Sequence, residues 1–171
     1  PKPQNPDKRK NNKIMDNKDN KELGDFRNHQ EDVLNVDGET NQPIGSVSRK
    51  EMRSKNLWHR ASYVFVRNSL GQYIVQQRTM TKEYCPGGYA LATGGVMAPD
   101  ETNELNAQRE LEEELGIVRK VEDMKLLGQF RYTDNRTSVW GNIFHVEIQD
   151  EGRDLQIQKE EVDAVVYWTK E

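Results

Sequence analysis

Residues 95–117, GVMAPDETNELNAQRELEEELGI, leave this chain few ways to fold. Thr102 has the hydroxyl side chain that caps a helix N-terminus, strong helix formers run from there to Leu115, and Gly116 stands where a helix stops in the left-handed conformation. The spacing predicts a loop, a helix of about four turns and a stop. At about 100° per residue, Ala107, Leu111 and Leu115 make one apolar stripe, and Glu110, Glu113 and Glu114 fall within an arc of about 100° beside it. The stripe demands a packed partner, so the acidic side is held in a fixed direction.

Like charges three and four positions apart cost a helix a few tenths of a kcal/mol per pair. The acidic arc therefore calls for a positive partner. Arg109, four residues before Glu113, supplies part of it. A hard divalent cation suits the remainder, because Mg²⁺ takes oxygen ligands and is usually held by one or two carboxylates together with substrate phosphates. Taken alone, the same run reads as a solvated acidic helix face.

A length of 171 residues suits one domain with its own core. Charge is unevenly spread: residues 1–30 carry eight Lys or Arg against five Asp or Glu, and the other 141 carry 17 against 24. The acidic remainder argues against a nucleic-acid surface and suits a site that gathers divalent cations ahead of an anionic substrate. Residues 1–29 have too few apolar side chains to offset chain entropy and read as a disordered polar tail. The domain is then 30–171. The single cysteine, Cys85, excludes an internal disulfide and points to a reducing, cytoplasmic-type compartment; beside Pro86 and far from any base it reads as inert. No apolar run is long enough to span a membrane. The chain opens on Pro1 and closes just after a strand-like segment, as expected of a piece whose C-terminal helix is cut short.

Along the chain, 31–47 predicts two short strands around a turn at Asp37 and Gly38, with Val33, Val36, Ile44 and Val47 covering the core. Ser48 and Glu51 open a capping box for a short helix. Alternation over 62–67 and 72–78 predicts a hairpin with its turn at 68–71. A strand runs from Tyr89 into Gly94 and Gly95. After the acidic helix, 124–132, 138–148 and 162–168 read as strands. No internal repeat is visible.

The spacing of the acidic stretch resembles the Nudix box, GX5EX7REUXEEXGU with U a bulky aliphatic. Gly95, Glu101, Arg109, Glu110, Leu111, Glu113, Glu114, Gly116 and Ile117 occupy all nine specified positions over 23 residues. The resemblance implies an α/β fold, an α/β/α sandwich around a mixed sheet, and hydrolysis of a diphosphate linkage with Mg²⁺ or Mn²⁺. It implies Glu110, Glu113 and Glu114 as metal ligands joined by the Gly95 carbonyl, and Glu101 and Arg109 as residues that orient the helix. A further carboxylate beyond the box often supplies a ligand or base in this family, which draws attention to Glu161, Glu160 and Glu147. Arg78 and Arg60 are candidate substrate contacts, Arg78 because its strand leaves the sheet close to the box. The substrate expected is a small-molecule diphosphate, a nucleoside diphosphate derivative or a relative of one, with oligomeric state open.

The leader and the run Leu57-Trp58-His59-Arg60-Ala61 resemble the isopentenyl-diphosphate-isomerase-like branch, where a His of this kind can bind metal; physically, His59 beside Trp58 reads as packed or hydrogen-bonded. Isomerases of that branch carry a Cys and a His after the Pro-Gly turn, and this chain has Thr93 and Val96 there. A threonine hydroxyl cannot stand in for a thiol. That leaves isomerase chemistry disfavoured and a non-catalytic assembly subunit as a further alternative, which an intact set of charges argues against.

Overall fold

The computed structural model describes residues 32–169, so the tail expected at 1–29 lies outside the described residues. In chain order the elements are β1 (Asp32–Val36), β2 (Pro43–Ser48), α1 (Arg49–Ser54), β3 (Trp58–Arg67), β4 (Tyr73–Arg78), β5 (Tyr89–Ala90), α2 (Asn103–Leu115), a 3₁₀ turn (Val121–Asp123), β6 (Lys125–Thr133), β7 (Ser138–Glu147) and β8 (Val162–Trp168). The eight strands form one mixed sheet in an α/β fold, with β3 at its centre.

Local chemistry accounts for the helices. Thr102 caps α2 by accepting from the Leu105 N–H, and Gly116 closes it in the left-handed region at φ 68°. Ser48 caps α1 by accepting from the Glu51 N–H. On the inner side of α2, Ala107, Leu111 and Leu115 are buried against Val64 and Val66 of β3 and Phe144 and Val146 of β7. Each of these larger side chains contributes on the order of 1.5–3 kcal/mol by leaving water.

β3 and β7 pair in parallel along their whole length, from Trp58 opposite Ser138 to Arg67 opposite Glu147. This corrects the hairpin read from 62–78: β3 and β4 are registered only at Arg67 and Tyr73, next to the turn. Beyond that point they splay. The other edge of β3 is taken by residues 93–97, through Val64 N–H to Thr93 O, Thr93 N–H to Val64 O, Ser62 N–H to Gly95 O and Met97 N–H to Arg60 O. β4 in turn pairs antiparallel with β8 and, briefly, with β5. The strand read from Tyr89 into Gly95 is accordingly a two-residue strand followed by isolated bridges, Val64 to Thr93 and Ala61 to Val96. Two edges per strand were available, and long-range partners outbid the local one.

The leader strands form as read, with Val33 and Val36 buried, but Ile44 is 64% exposed and covers nothing. β2 pairs only with β1, so its outward residues have no layer to face. Among the described residues no helix is long and apolar enough to cross a membrane.

Candidate active site

α2 and the segment pinned to β3 bring the carboxylates together in two groups. In the first, Arg109 is the hub. Its guanidinium donates through Nε to Glu101 Oε1 at 2.6 Å, and through Nη1 to Glu110 Oε1 and Glu113 Oε2, both at 2.9 Å. Glu101 is anchored in its own right, accepting from the Ala98 N–H at 2.9 Å and from Asn106 Nδ2 at 3.1 Å. Burial opposes the charge on Arg109, but the Glu101 bonds and the charges of Glu110 and Glu113 outweigh it and hold the guanidinium protonated.

The second group surrounds Glu114, which is 2% exposed. Its Oε2 accepts from Gln76 Nε2 at 2.8 Å, from the Thr93 hydroxyl, and from the Gly94 N–H at 3.2 Å. Gln76 lies on β4 and Thr93 on the segment bridged to β3, so this carboxylate sits in the gap the splayed strands leave open. Gly94, at φ 150°, could carry no side chain here, because a Cβ would lie 1.9 Å from the Ser62 carbonyl oxygen.

Glu110 lies against Gly95. A Cβ at position 95 would stand 2.3 Å from Glu110 Oε1, so only glycine lets the carboxylate rest on the backbone. The Gly95 carbonyl accepts from the Ser62 N–H. Glu110 is 8% exposed. Burial, and next the charge of Glu114, push its pKa up to about 7. Glu113 is instead exposed and turned to Arg109. Among the described residues no three His, Cys, Asp or Glu side chains already surround a common point.

These residues nevertheless suit a divalent metal. All the donors are carboxylate or carbonyl oxygens, two carboxylates are buried side by side, and Gly95 leaves a cradle that a Cβ would fill.

The remaining candidates are placed as follows. Lys82 forms an ion pair with Glu161, and its side chain is 15% exposed. Burial lowers the Lys82 pKa to about 8, against the pull of Glu114 and Glu110. Arg78 donates from Nε to the Tyr84 carbonyl at 3.0 Å. Arg60 is engaged by the leader turn, donating from Nε to Asn41 Oδ1 at 2.9 Å. Glu147 pairs with Arg67, with side chains 60% and 46% exposed, and Glu160 is exposed. His59 is 2% exposed with Nδ1 3.0 Å from the Leu57 carbonyl, the packed, hydrogen-bonded state expected of it. A cavity of about 480 Å³ at the far end of α2, bordered by Ile117, Arg119, Ile148 and Leu155, touches none of Glu110, Glu113 and Glu114. Sequence reading missed Gln76 and gave no role to Lys82; the one signal for Gln76 was a polar residue directly after the apolar run Tyr73-Ile74-Val75.

The NUDIX domain profile matches residues 57–171. The Nudix hydrolase YfcD of Escherichia coli (strain K12) is 38% identical over 140 residues, 82% of this chain and 73% of that protein. The Nudix hydrolase PA4841 of Pseudomonas aeruginosa is 36% identical over 124 residues, 72% of this chain and 70% of that protein. Among solved structures, DR0079 from Deinococcus radiodurans superposes with a TM-score of 0.67 at 21% identity, covering 81% of this chain and 83% of that one. The NUDIX domain of Shewanella oneidensis NrtR, solved with ADP ribose, gives a TM-score of 0.55 at 18% identity over 66% of this chain and 73% of that one. With its box complete and its carboxylates ordered by the fold, this chain belongs to the Nudix hydrolase family, enzymes that cleave phosphorus-containing acid anhydrides.

Proposed function

We propose that this chain is a divalent-metal-dependent pyrophosphohydrolase of small-molecule diphosphates, acting on a nucleoside diphosphate derivative or a near relative of one. The observation that carries the reading is the pair Glu110 and Glu114, two carboxylates buried at 8% and 2% one turn apart on the same side of one helix. A fold gains no stability from that arrangement, since burial and then the charge of Glu114 both oppose charge on Glu110. A bound cation removes the penalty. Glu110, Glu113 and Glu114, with the Gly95 carbonyl, would hold Mg²⁺ or Mn²⁺, and when bound the metal offsets phosphate charge and makes water a better nucleophile.

The chain's own residues do the positioning. Gln76, Thr93 and the Gly94 N–H fix Glu114, while Glu101 and Arg109 fix Glu110 and Glu113. A rigid donor set of this kind lowers a barrier by having its geometry prepaid. We assign Lys82 and Arg78 to the diphosphate oxygens, and Glu161, paired with Lys82, to the role of the carboxylate outside the box that accepts a proton from attacking water. The ADP ribose in the NrtR structure supports a nucleoside diphosphate derivative as the substrate class.

The test is a panel of nucleoside and non-nucleoside diphosphates with Mg²⁺ or Mn²⁺, followed by anion-exchange detection of monophosphate products. Turnover of at least one member, abolished by EDTA, is expected. No turnover of any member would shift the reading to a non-catalytic subunit.

A further inference from the structure

Asn106 lies on the inner side of α2, one turn before Glu110, and is fully buried. Its Nδ2 donates to the Val96 carbonyl at 3.2 Å and to Glu101 Oε2 at 3.1 Å. Both neighbours are acceptors, so the amide nitrogen rather than the oxygen must face them. Its Oδ1 is the atom left over, buried and without a hydrogen-bond partner among the described residues. An unpaired buried amide oxygen is costly, and asparagine is a poorer helix former than alanine. Stability alone favours a small apolar side chain here. Gln76 repeats the pattern: its Nε2 serves Glu114, and its Oε1, also buried, has no partner. In both places the fold keeps a donor on a carboxylate and leaves an acceptor unpaired.

The two bonds of Asn106 join parts that must stay in register. Val96 follows Gly95, the residue on which Glu110 rests, so the bond to Val96 ties the glycine cradle to α2 one turn away from the Glu110 contact. Glu101 is the other acceptor. Its Oε2 also takes the Ala98 N–H and Arg109 Nη2, and Arg109 in turn holds Glu110 and Glu113. One buried amide thereby reaches both the Gly95 carbonyl and the acidic arc.

We propose that Asn106 is a positioning residue for the divalent-cation site: it sets the spacing between the Gly95 carbonyl and Glu110 and, through Glu101 and Arg109, the directions of Glu110 and Glu113. Its loss loosens the oxygen donor set rather than the fold. Groups that orient metal ligands in this way are worth about 10–100-fold in metal affinity or activity. The inference rests on the metal-dependent reading above.

Two measurements on the full chain test it apart from that reading. The first follows Mn²⁺ binding, without substrate, by the electron paramagnetic resonance of the free ion. Asn106→Ala should weaken binding about tenfold or more, while the metal-free variant keeps its circular dichroism and cooperative melting. Asn142→Ala is the comparison, because Asn142 is a buried amide that also ties α2 to the sheet, donating to Asn103 Oδ1 at 2.9 Å, and lies outside the chain of bonds to the carboxylates. Its Mn²⁺ affinity should match the parent's. If Asn106→Ala does not fold, Asn106→Ser, with one donor for two acceptors, is measured by the same criterion. Unchanged affinity in the folded variant, or an equal loss in Asn142→Ala, overturns the assignment. The second measurement uses whichever diphosphate the parent hydrolyses. At saturating Mn²⁺, Asn106→Ala should lower kcat and leave KM in place; a raised KM at unchanged kcat would make Asn106 a substrate-binding residue and overturn the proposal. Weakened Mn²⁺ binding by Asn106→Ala, with a parent that hydrolyses nothing, would overturn the hydrolase reading and leave the role of Asn106 standing. A parent that binds no Mn²⁺ would overturn both.

Discussion

Glu113 and Glu112 are neighbours in sequence with opposite expected fates. Both are exposed on α2, but only Glu113 faces Arg109 and the buried pair. Glu113→Gln should lower turnover by orders of magnitude in a steady-state assay. Its melting temperature should hardly move, since relieved repulsion and a lost exposed ion pair are each worth a few tenths of a kcal/mol. Glu112→Gln should be silent in both measurements, and activity of Glu113→Gln within a few-fold of the parent would remove Glu113 from the site. His59 yields a prediction about pH. Burial first, with the charges of Arg53 and Arg49 assisting, lowers its pKa from 6.5 to about 4, although the Leu57 carbonyl bond works the other way. Between pH 6.5 and 4 the unfolded chain therefore takes up a proton that the folded chain refuses, so stability falls as pH falls through that window and is fully present above it. The contribution is roughly 3 kcal/mol. Chemical denaturation at a series of pH values should show this slope in the parent and a flatter one in His59→Gln; equal slopes would count against a neutral buried imidazole. That His59 is packed was legible from its apolar neighbours, whereas the partners of Glu114 were not, because Gln76 and Thr93 lie 38 and 21 residues away along the chain.

At the scale of elements, α2 was the most legible because every force on it is local or periodic. Cap, stripe and stop are written within the segment, and the helix runs from Asn103 to Leu115 as its signals require. Leu111 is fully buried under the sheet. Leu111→Ala should cost about 2–5 kcal/mol, read from urea denaturation, with a lower midpoint and an unchanged slope. A cost below about 1 kcal/mol would mean that the stripe is not the packed face. The β3–β4 hairpin was misread for the complementary reason. Its turn is local and correct, with Asn68 Oδ1 accepting from the Leu70 and Gln72 N–H groups, but strand pairing past the turn depends on which distant segments compete for each edge. β7 lies about 80 residues on from β3, and nothing inside 62–78 announces it.

For the whole molecule, metal and the leader test the assembled domain. If the buried carboxylates bind divalent cation, several mM Mg²⁺ or Mn²⁺ should raise the melting temperature in proportion to ln(1 + [L]/Kd). An unchanged midpoint would contradict the ligand assignment. The leader should be indispensable. Val33 packs with Met52 and Val96, and Leu34 and Val36 pack with Met97, so β1 covers the segment that ends the glycine cradle. The Leu34 N–H also donates to the Met97 carbonyl. Deleting the chain through Ser48 removes three buried aliphatic side chains at about 1.5–3 kcal/mol each, comparable to the entire stability of an ordinary domain. Aggregation or loss of the cooperative melting transition is expected; a soluble, cooperatively folded product would show the leader to be an appendage.

What the sequence by itself determined was the helix, its acidic face and the family, because periodicity, capping and the nine-position box all lie within 23 consecutive residues. The carboxylate chemistry followed from residue type and angular position. Only the tertiary structure decided that β3 and β4 part after the turn, that residues 93–97 fill the resulting edge, and that Glu114 enters the gap between Gln76 and Thr93. It also decided which cations stand near the site, drawing Lys82 from a loop while committing Arg60 to Asn41. The physical reason is one of range. A helix satisfies its backbone within itself, so its sequence specifies it, whereas each strand edge is satisfied by whichever remote segment packs best once the core has formed.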